Sequence, residues 1–305
     1  SGVPRLNYDG TDLTKCPSLL LEQSRTNLIY RSQELNLWNA ANSTVTANAS
    51  ISPEGVVNSF KITENSATST QHRISIGSIG GSSATYTISA YVKNANGNRL
   101  AYIDMGQVTA HFNFLTKAIY SANGTADFED VGNGWYRIWV TSNSSVSVVS
   151  CFAGLSVNNS ETYSGDGSSA IEFYGLQLEA GNYPTSLIKT NGSSATRAFD
   201  FAKKTSASSV IGQSEGTIYV EFEYTGVKDH YSPIFSLQGV SSPMELIEIY
   251  AGINGTQYSA VMQDGGVTQF SRAFIPSLGK NKVAFAYATN NSVLVVNGVV
   301  TVSYT

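Results

Sequence analysis

Short runs that alternate apolar and polar residues at every second position, each ended by Gly, Asn or Ser, constrain this chain more than any other feature. The run at 84–92 (ATYTISAYV) is the clearest in the first half, and 217–224 (TIYVEFEY) in the second. A strand sends successive side chains to opposite faces, so this period builds sheets with one face to bury. A helix would need a period of about 3.6. Similar runs lie at 57–62, 100–104, 111–114, 136–141, 145–155 and 171–178. Another series follows at 234–237, 246–251, 258–262, 282–288 and 293–296. Asn297-Gly298, between two Val-rich runs, is a two-residue hairpin signal because both residues tolerate positive φ.

The reading is therefore all-β, with two consecutive β-sandwich domains. The roughly eight strands of the first series suit a jelly roll. A length of 305 residues fits two modules, each long enough to bury its own core. Residues 1–29, interrupted by Gly2, Pro4, Gly10 and Pro17, read as an extended opening segment that packs on the first sandwich. Residues 30–190 form that sandwich, the Ser/Ala/Gly-rich 191–215 a linker, and 216–305 the second sandwich. Residues 32–39 have weak helical character, enough for one or two turns. The sequence stops inside a strand-like run, so flanks are expected beyond both ends and the second sandwich reads as incomplete at its C-terminus.

Only 13% of residues are charged, and Ser, Thr, Asn and Gly fill the polar positions. Such residues suit strand faces and turns better than exposed helix faces, which carry Glu, Lys and Arg. The net charge of −4, with no basic run denser than Lys203-Lys204, argues against nucleic acid as a partner. No stretch of about 18 apolar residues exists to span a membrane. The two cysteines, Cys16 and Cys151, are too few for a disulfide framework.

Nothing points to catalysis. His72, His111 and His230 are far apart and lack metal-ligand spacing. Glu221 and Glu223 share one strand face and read as solvated carboxylates. The chain is read as non-enzymatic and without a cofactor. Gly165-Asp166-Gly167 and Asp264-Gly265-Gly266 read as turns, with oxygen ligation of Ca²⁺ as the alternative.

Three stretches resemble modules common in tailed-phage structural proteins. The first is Pro4 to Tyr8 with Leu19-Leu20-Leu21-Glu22-Gln23-Ser24-Arg25-Thr26-Asn27-Leu28. The second is Asp130-Val131-Gly132-Asn133-Gly134-Trp135-Tyr136-Arg137. The third joins Gly165-Asp166-Gly167-Ser168, Gln177-Leu178-Glu179-Ala180-Gly181, Tyr183-Pro184-Thr185-Ser186 and Ser194-Ala195-Thr196-Arg197-Ala198. In that order they cover residues 4–198. Family modules of this kind are similar to carbohydrate-binding jelly rolls and are often followed by a concanavalin A-like, laminin G-like sandwich. Residues 217–300 resemble the start of one. The resemblance implies a virion fibre, receptor-binding or decoration protein that works as a homotrimer. Its implied partners are host-surface polysaccharide and other virion proteins. A purely structural virion adaptor, or an accessory glycan-binding region of a larger carbohydrate-active enzyme, stands as the alternative.

Sugars stack on exposed rings, so aromatics are the candidate glycan contacts. Trp38, in the polar stretch Asn36 to Asn39, reads as the best exposed ring, followed by Tyr231 and Tyr258. Trp135 and Trp139 share one strand face and read as packed. Glu22, Arg25, Asn27, Trp135, Arg137, Gln177, Glu179 and Pro184 are the structural signature. Within it, a buried, hydrogen-bonded Arg25 is expected to staple the opening segment to the 177–179 strand.

Overall fold

A computed structural model describes residues 6–7, 17–200, 207–209, 211–212, 214–224, 233–239, 245–251, 257–289 and 291–304. Its regular structure is nearly all strand, and every strand pairing it contains is antiparallel. The chain divides into two units, Ser1–Ala202 and Lys203–Thr305.

The first unit is a sandwich of a seven-stranded and a six-stranded sheet. The seven-stranded sheet runs in the order Ala118–Ala122, Thr109–Asn113, Leu100–Asp104, Cys151–Ser156, Thr70–Ile76 and Thr162–Tyr163, with Asn39–Ala41 also on Thr70–Ile76. The six-stranded sheet runs Thr125–Gly132, Trp135–Thr141, Tyr86–Asn96, Ala170–Ala180, Phe60–Glu64 and Ser43–Ala47. Alternation decides which residues meet between them. Ile74, Ile103, Phe112 and Leu155 come from one sheet, and Ile62, Ile88, Ile138 and Phe173 from the other, into one buried cluster.

Three details differ from the sequence reading. The core face of Trp135–Thr141 is Tyr136, Ile138 and Val140, so Trp135 is buried on the outer side of its sheet. The run at 145–155 is two strands, Val146–Val148 and Cys151–Ser156, which pair with different partners. The stretch expected to be linker begins with structure: Ala195–Arg197 pairs with Arg25–Asn27 in the first unit. The weakly helical 32–39 stretch holds a single 3-10 turn, Leu35–Leu37.

The second unit has two four-stranded sheets. One runs Glu215–Tyr224, Gly279–Ala288, Asn291–Val296, Val299–Tyr304, and the other Pro233–Gln238, Leu246–Ala251, Tyr258–Asp264, Val267–Phe274. Phe285 and Leu294 from the first meet Ile249, Ala260 and Phe270 from the second. Asn297 and Gly298, at φ of 51° and 82°, make the expected hairpin turn between Val296 and Val299. Glu221 and Glu223 both face solvent on one side of their strand. Among the described residues no helix is long and apolar enough to cross a membrane.

Candidate functional site

The signature residues build a staple on the outer side of the six-stranded sheet. Asn27, rather than Arg25, is its centre. The Asn27 amide donates to the carbonyls of Leu176 (3.3 Å) and Ile188 (2.8 Å), and its oxygen accepts from the N–H of Ile29 (3.0 Å) and Leu178 (3.1 Å). Glu179, fully buried, accepts from the Thr185 N–H (2.9 Å), the Thr185 hydroxyl and the Gln177 amide (2.7 Å). Arg137 donates to Ser89 and to the Thr185 carbonyl. Glu22 accepts from Ser186 N–H (2.7 Å) and pairs with Arg197 at 3.4 Å. Pro184 is half-buried in the turn that carries Thr185. Arg25 itself bonds only locally, to Gln23 (2.9 Å) and weakly to Ser24, with its guanidinium over the Tyr183 ring at 5.2 Å. The expected Arg25 staple is thus corrected: a compact amide saturates both neighbouring chains, while the half-buried Arg25 packs on Tyr183 and hydrogen-bonds only to Gln23 and Ser24.

Two proposed glycan contacts are also corrected. Trp38 is 5% exposed, and its indole N–H donates to the Arg31 carbonyl (3.0 Å), so it packs into the first core. Tyr258 is 8% exposed and stacks on Phe274 in the second core. Period-two alternation places residues on faces without saying which face a partner sheet covers. Tyr231 lies outside the described residues.

The opposite surface of the first sandwich presents a different chemistry. On the outer face of the seven-stranded sheet one cross-strand row runs Arg73, Gly154, Tyr102, His111, Ser121. The next runs Ser75, Phe152, Asp104, Thr109. Gly154 is required in the first row, because a Cβ there would meet the His72 carbonyl at 2.5 Å and the Arg73 Cβ at 2.8 Å. The Arg73 guanidinium stands 4.1 Å over the Phe152 ring. The tight Val157–Ser160 turn, with Asn158 and Asn159 at φ of 46° and 68°, reaches across to Ser121, whose hydroxyl bonds Asn159. It delivers Glu161, which accepts from Gln71 at 3.1 Å.

This face holds its polar groups out of water. Tyr102 is fully buried, and its hydroxyl has no hydrogen-bond partner of good geometry. Burial pushes that hydroxyl well above its ordinary pKa, the charges of Glu161 and Asp104 add to the rise, and Arg73 opposes it. Burial alone lowers His111 to about 4, so its ring is neutral near pH 7, with Nδ1 bonded to Ser156 (2.8 Å). Asp104 is raised by burial against hydrogen bonds from Gly106 and Thr109. Glu161 is raised by burial first and by Asp104 second.

An acid with a raised folded pKa binds its proton more tightly folded than unfolded. Its ionisation therefore costs stability at neutral pH, and the cost disappears on acidification through the folded pKa. Glu161→Gln, which keeps the shape and an acceptor for Gln71, should melt above the wild type at pH 7, with the gap closing as the pH approaches 4 in a calorimetric series. A wild type that is the more stable at pH 7 would contradict this account of the face.

Other candidates fare differently. The Asp166 carboxylate accepts from Ser168 and Ser169 N–H (each 2.7 Å), from both serine hydroxyls and from Arg99 (3.2 Å). Those donors hold its pKa well below the usual carboxylate range and do not fit a Ca²⁺ ligand. Asp264-Gly265-Gly266 is a hairpin turn with both glycines at positive φ. Among the described residues no three His, Cys, Asp or Glu cluster as a metal site. The sequence reading finds no G-x-S-x-G elbow, which is corrected: Gly212-Gln213-Ser214-Glu215-Gly216 has that spacing, although the strand Glu215–Tyr224 follows where an elbow needs a helix.

No family model and no curated protein matches this sequence. Among solved structures it is similar to the CBM22-1–GH10 modules of the Clostridium thermocellum endo-1,4-β-D-xylanase 10B complexed with xylohexaose. The identity is 13% and the TM-score 0.31, over 56% of this chain and 30% of that one. It is also similar to the tripod (BppUct-A-L) from the baseplate of bacteriophage Tuc2009, at 13% identity and TM-score 0.24, over 85% of this chain and 99% of that one. The chain thus spans less than a third of the xylanase chain it matches.

Proposed function

We propose that this chain is a non-enzymatic attachment piece of a phage particle, which binds host-surface glycan through the outer face of the first unit's seven-stranded sheet. The observation that carries the reading is the contrast between the two outer faces. The staple binds the Ser89, Arg137, Gln177 and Glu179 positions of the six-stranded face, whereas the seven-stranded face keeps two carboxylates whose pKa burial raises, beside Arg73 stacked on Phe152. Carboxylates accept from sugar hydroxyls, the Arg73 guanidinium and Gln71 amide donate, and Phe152 offers a ring to C–H faces. Single sugar contacts are weak, so a homotrimer on the virion surface would gain through avidity.

A second reading is a structural virion adaptor that docks on another protein. Tyr219 and Val300, both exposed on the outer side of the second unit's Glu215–Tyr224 sheet, favour it.

The test is binding of the purified chain to intact host cells before and after their surface polysaccharide is stripped. Stripping should reduce bound protein at least about tenfold, and Arg73→Ala or Phe152→Ala should do the same on untreated cells. Equal binding to stripped cells would reject the glycan reading and leave the adaptor.

A further inference from the structure

A cleft opens in the first unit, away from the sheet face, with a volume of about 440 Å³. The opening strand forms one wall through Ser24, Arg25, Thr26 and Leu28, and the Gly81–Ala84 edge contributes Ser82, with Tyr86 beside it. The size is that of a small-ligand pocket.

Among the described residues Arg25 is the only charged group on its lining. Its guanidinium is held in place: Nη1 donates to Gln23, the plane lies over the Tyr183 ring, and the backbone of Gly181 approaches so closely that a Cβ would stand 2.9 Å from Nη2. Among the described residues no carboxylate pairs with it, and its Nε is buried without a hydrogen-bond partner. Among the described residues Arg73 and Arg137 also lack a carboxylate partner, but Arg73 stacks on Phe152 at the sheet face and Arg137 donates to Ser89 and the Thr185 carbonyl within the staple. The Nε of Arg137 and of Arg197 is unpartnered as well, so what sets Arg25 apart is the cleft it lines. The remaining described arginines of this unit are neutralised. Arg31 pairs with Glu34, Arg99 with Glu64 and Asp166, and Arg197 with Glu22. A fixed, unneutralised guanidinium recruits an anion. Ser24 and Ser82 on the lining suit a ring bearing several OH groups, the Thr26 hydroxyl being bonded to Thr196 (2.8 Å), and Leu28 and Tyr86 give it an apolar side.

We infer that this cleft binds a sugar ring carrying a carboxylate, with Arg25 taking the carboxylate and Ser24 and Ser82 flanking the ring. The inference deepens the glycan reading by naming an acidic sugar, but its site is separate from the sheet face. An acidic side chain of a protein partner meets the charge equally well but leaves the hydroxyl-lined remainder unused, which favours the sugar.

Titration of the isotope-labelled full chain with methyl β-D-glucuronide, methyl β-D-glucoside and acetate, followed by NMR, tests it. The glucuronide should shift resonances of residues around Arg25 saturably, and the other two should bind at least tenfold more weakly. Arg25→Gln should abolish the shifts. Ser82→Trp, which fills the cleft and leaves the arginine in place, should do so too. Phe152→Ala should leave them intact, so failure of the sheet-face reading and failure of this one are distinguishable. Equal affinity for glucuronide and glucoside, acetate binding as tightly as the glucuronide, or retention in both cleft variants would overturn the inference. So would self-association abolished by Arg25→Gln with no glucuronide shift, which would make the occupant a protein carboxylate.

Discussion

Glu64→Ala is expected to destabilise the first unit by about 3–5 kcal/mol, the range for breaking a buried ion pair. Glu64 ends the Phe60–Glu64 strand on the same side as Phe60 and Ile62, so alternation turns an acid toward the interior. Its side chain is fully buried. One oxygen accepts from Arg99 Nη2 (2.6 Å) and the Asp166 N–H (2.7 Å), and the other from Arg99 Nε (3.0 Å) and the Tyr163 hydroxyl. The Tyr163 ring is contacted in turn by His72 at 4.7 Å and Arg99 at 4.9 Å. One carboxylate therefore ties a strand of the six-stranded sheet to Thr162–Tyr163 at the rim of the other. Truncation leaves Arg99, a half-buried cation, facing Asp166 alone. At about 2–4 °C per kcal/mol for a unit of this size, the first-unit melting transition should fall by roughly 6–20 °C. Removing both charges with Glu64→Leu and Arg99→Leu should recover part of the loss. A single variant that melts with the wild type would refute this placement.

Asn27→Ala should lower the same transition by about 6–12 °C. All the hydrogen-bonding capacity of the Asn27 amide is used, at 0% exposure, on backbone groups of three segments: the opening segment, the Ala170–Ala180 strand and the chain near Ile188. Alanine leaves four backbone groups without partners where water does not reach, a cost of about 3 kcal/mol once some relaxation is allowed. Asn27→Asp should be at least as severe, since it turns the donors facing two carbonyls into acceptors. Arg25→Ala should cost much less, because Arg25 bonds only to its neighbours in sequence. Equal losses for the two would show that the charge, not the amide, holds the segment.

The strands themselves were legible where both faces carried a clear pattern. Residues 100–104 were delimited as the strand Leu100–Asp104, and the Asn297-Gly298 turn followed from its two residues alone. Thr70–Ile76 was missed because a histidine takes the place of an apolar residue at its first inward position, although Ile74 and Ile76 continue the pattern. Ser43–Ala47 and Thr125–Gly132 are sheet-edge strands with little to bury, and their polar sequences resemble loops. The signature led to the staple, but not to Asn27 as its centre, since an amide's partners are backbone groups far away in sequence.

The sheet-face residues were the least legible. Arg73, Tyr102 and Phe152 sit on separate strands that only the pairing order brings into adjacent rows, and Glu161 reaches them from the 157–161 turn. Alternation did separate Tyr102 and Asp104 from Ala101 and Ile103. Which pair met the core depended on the second sheet. The buried positions of Trp38 and Tyr258 have the same cause.

Chemical-shift mapping of the isotope-labelled chain with polysaccharide purified from the host surface asks the question most simply. Perturbations should gather on Gln71, Arg73, Asp104, Phe152 and the 157–161 turn, and vanish in Arg73→Ala. Saturating polysaccharide that leaves those resonances unmoved, or moves only the second unit, would contradict the assignment of this face.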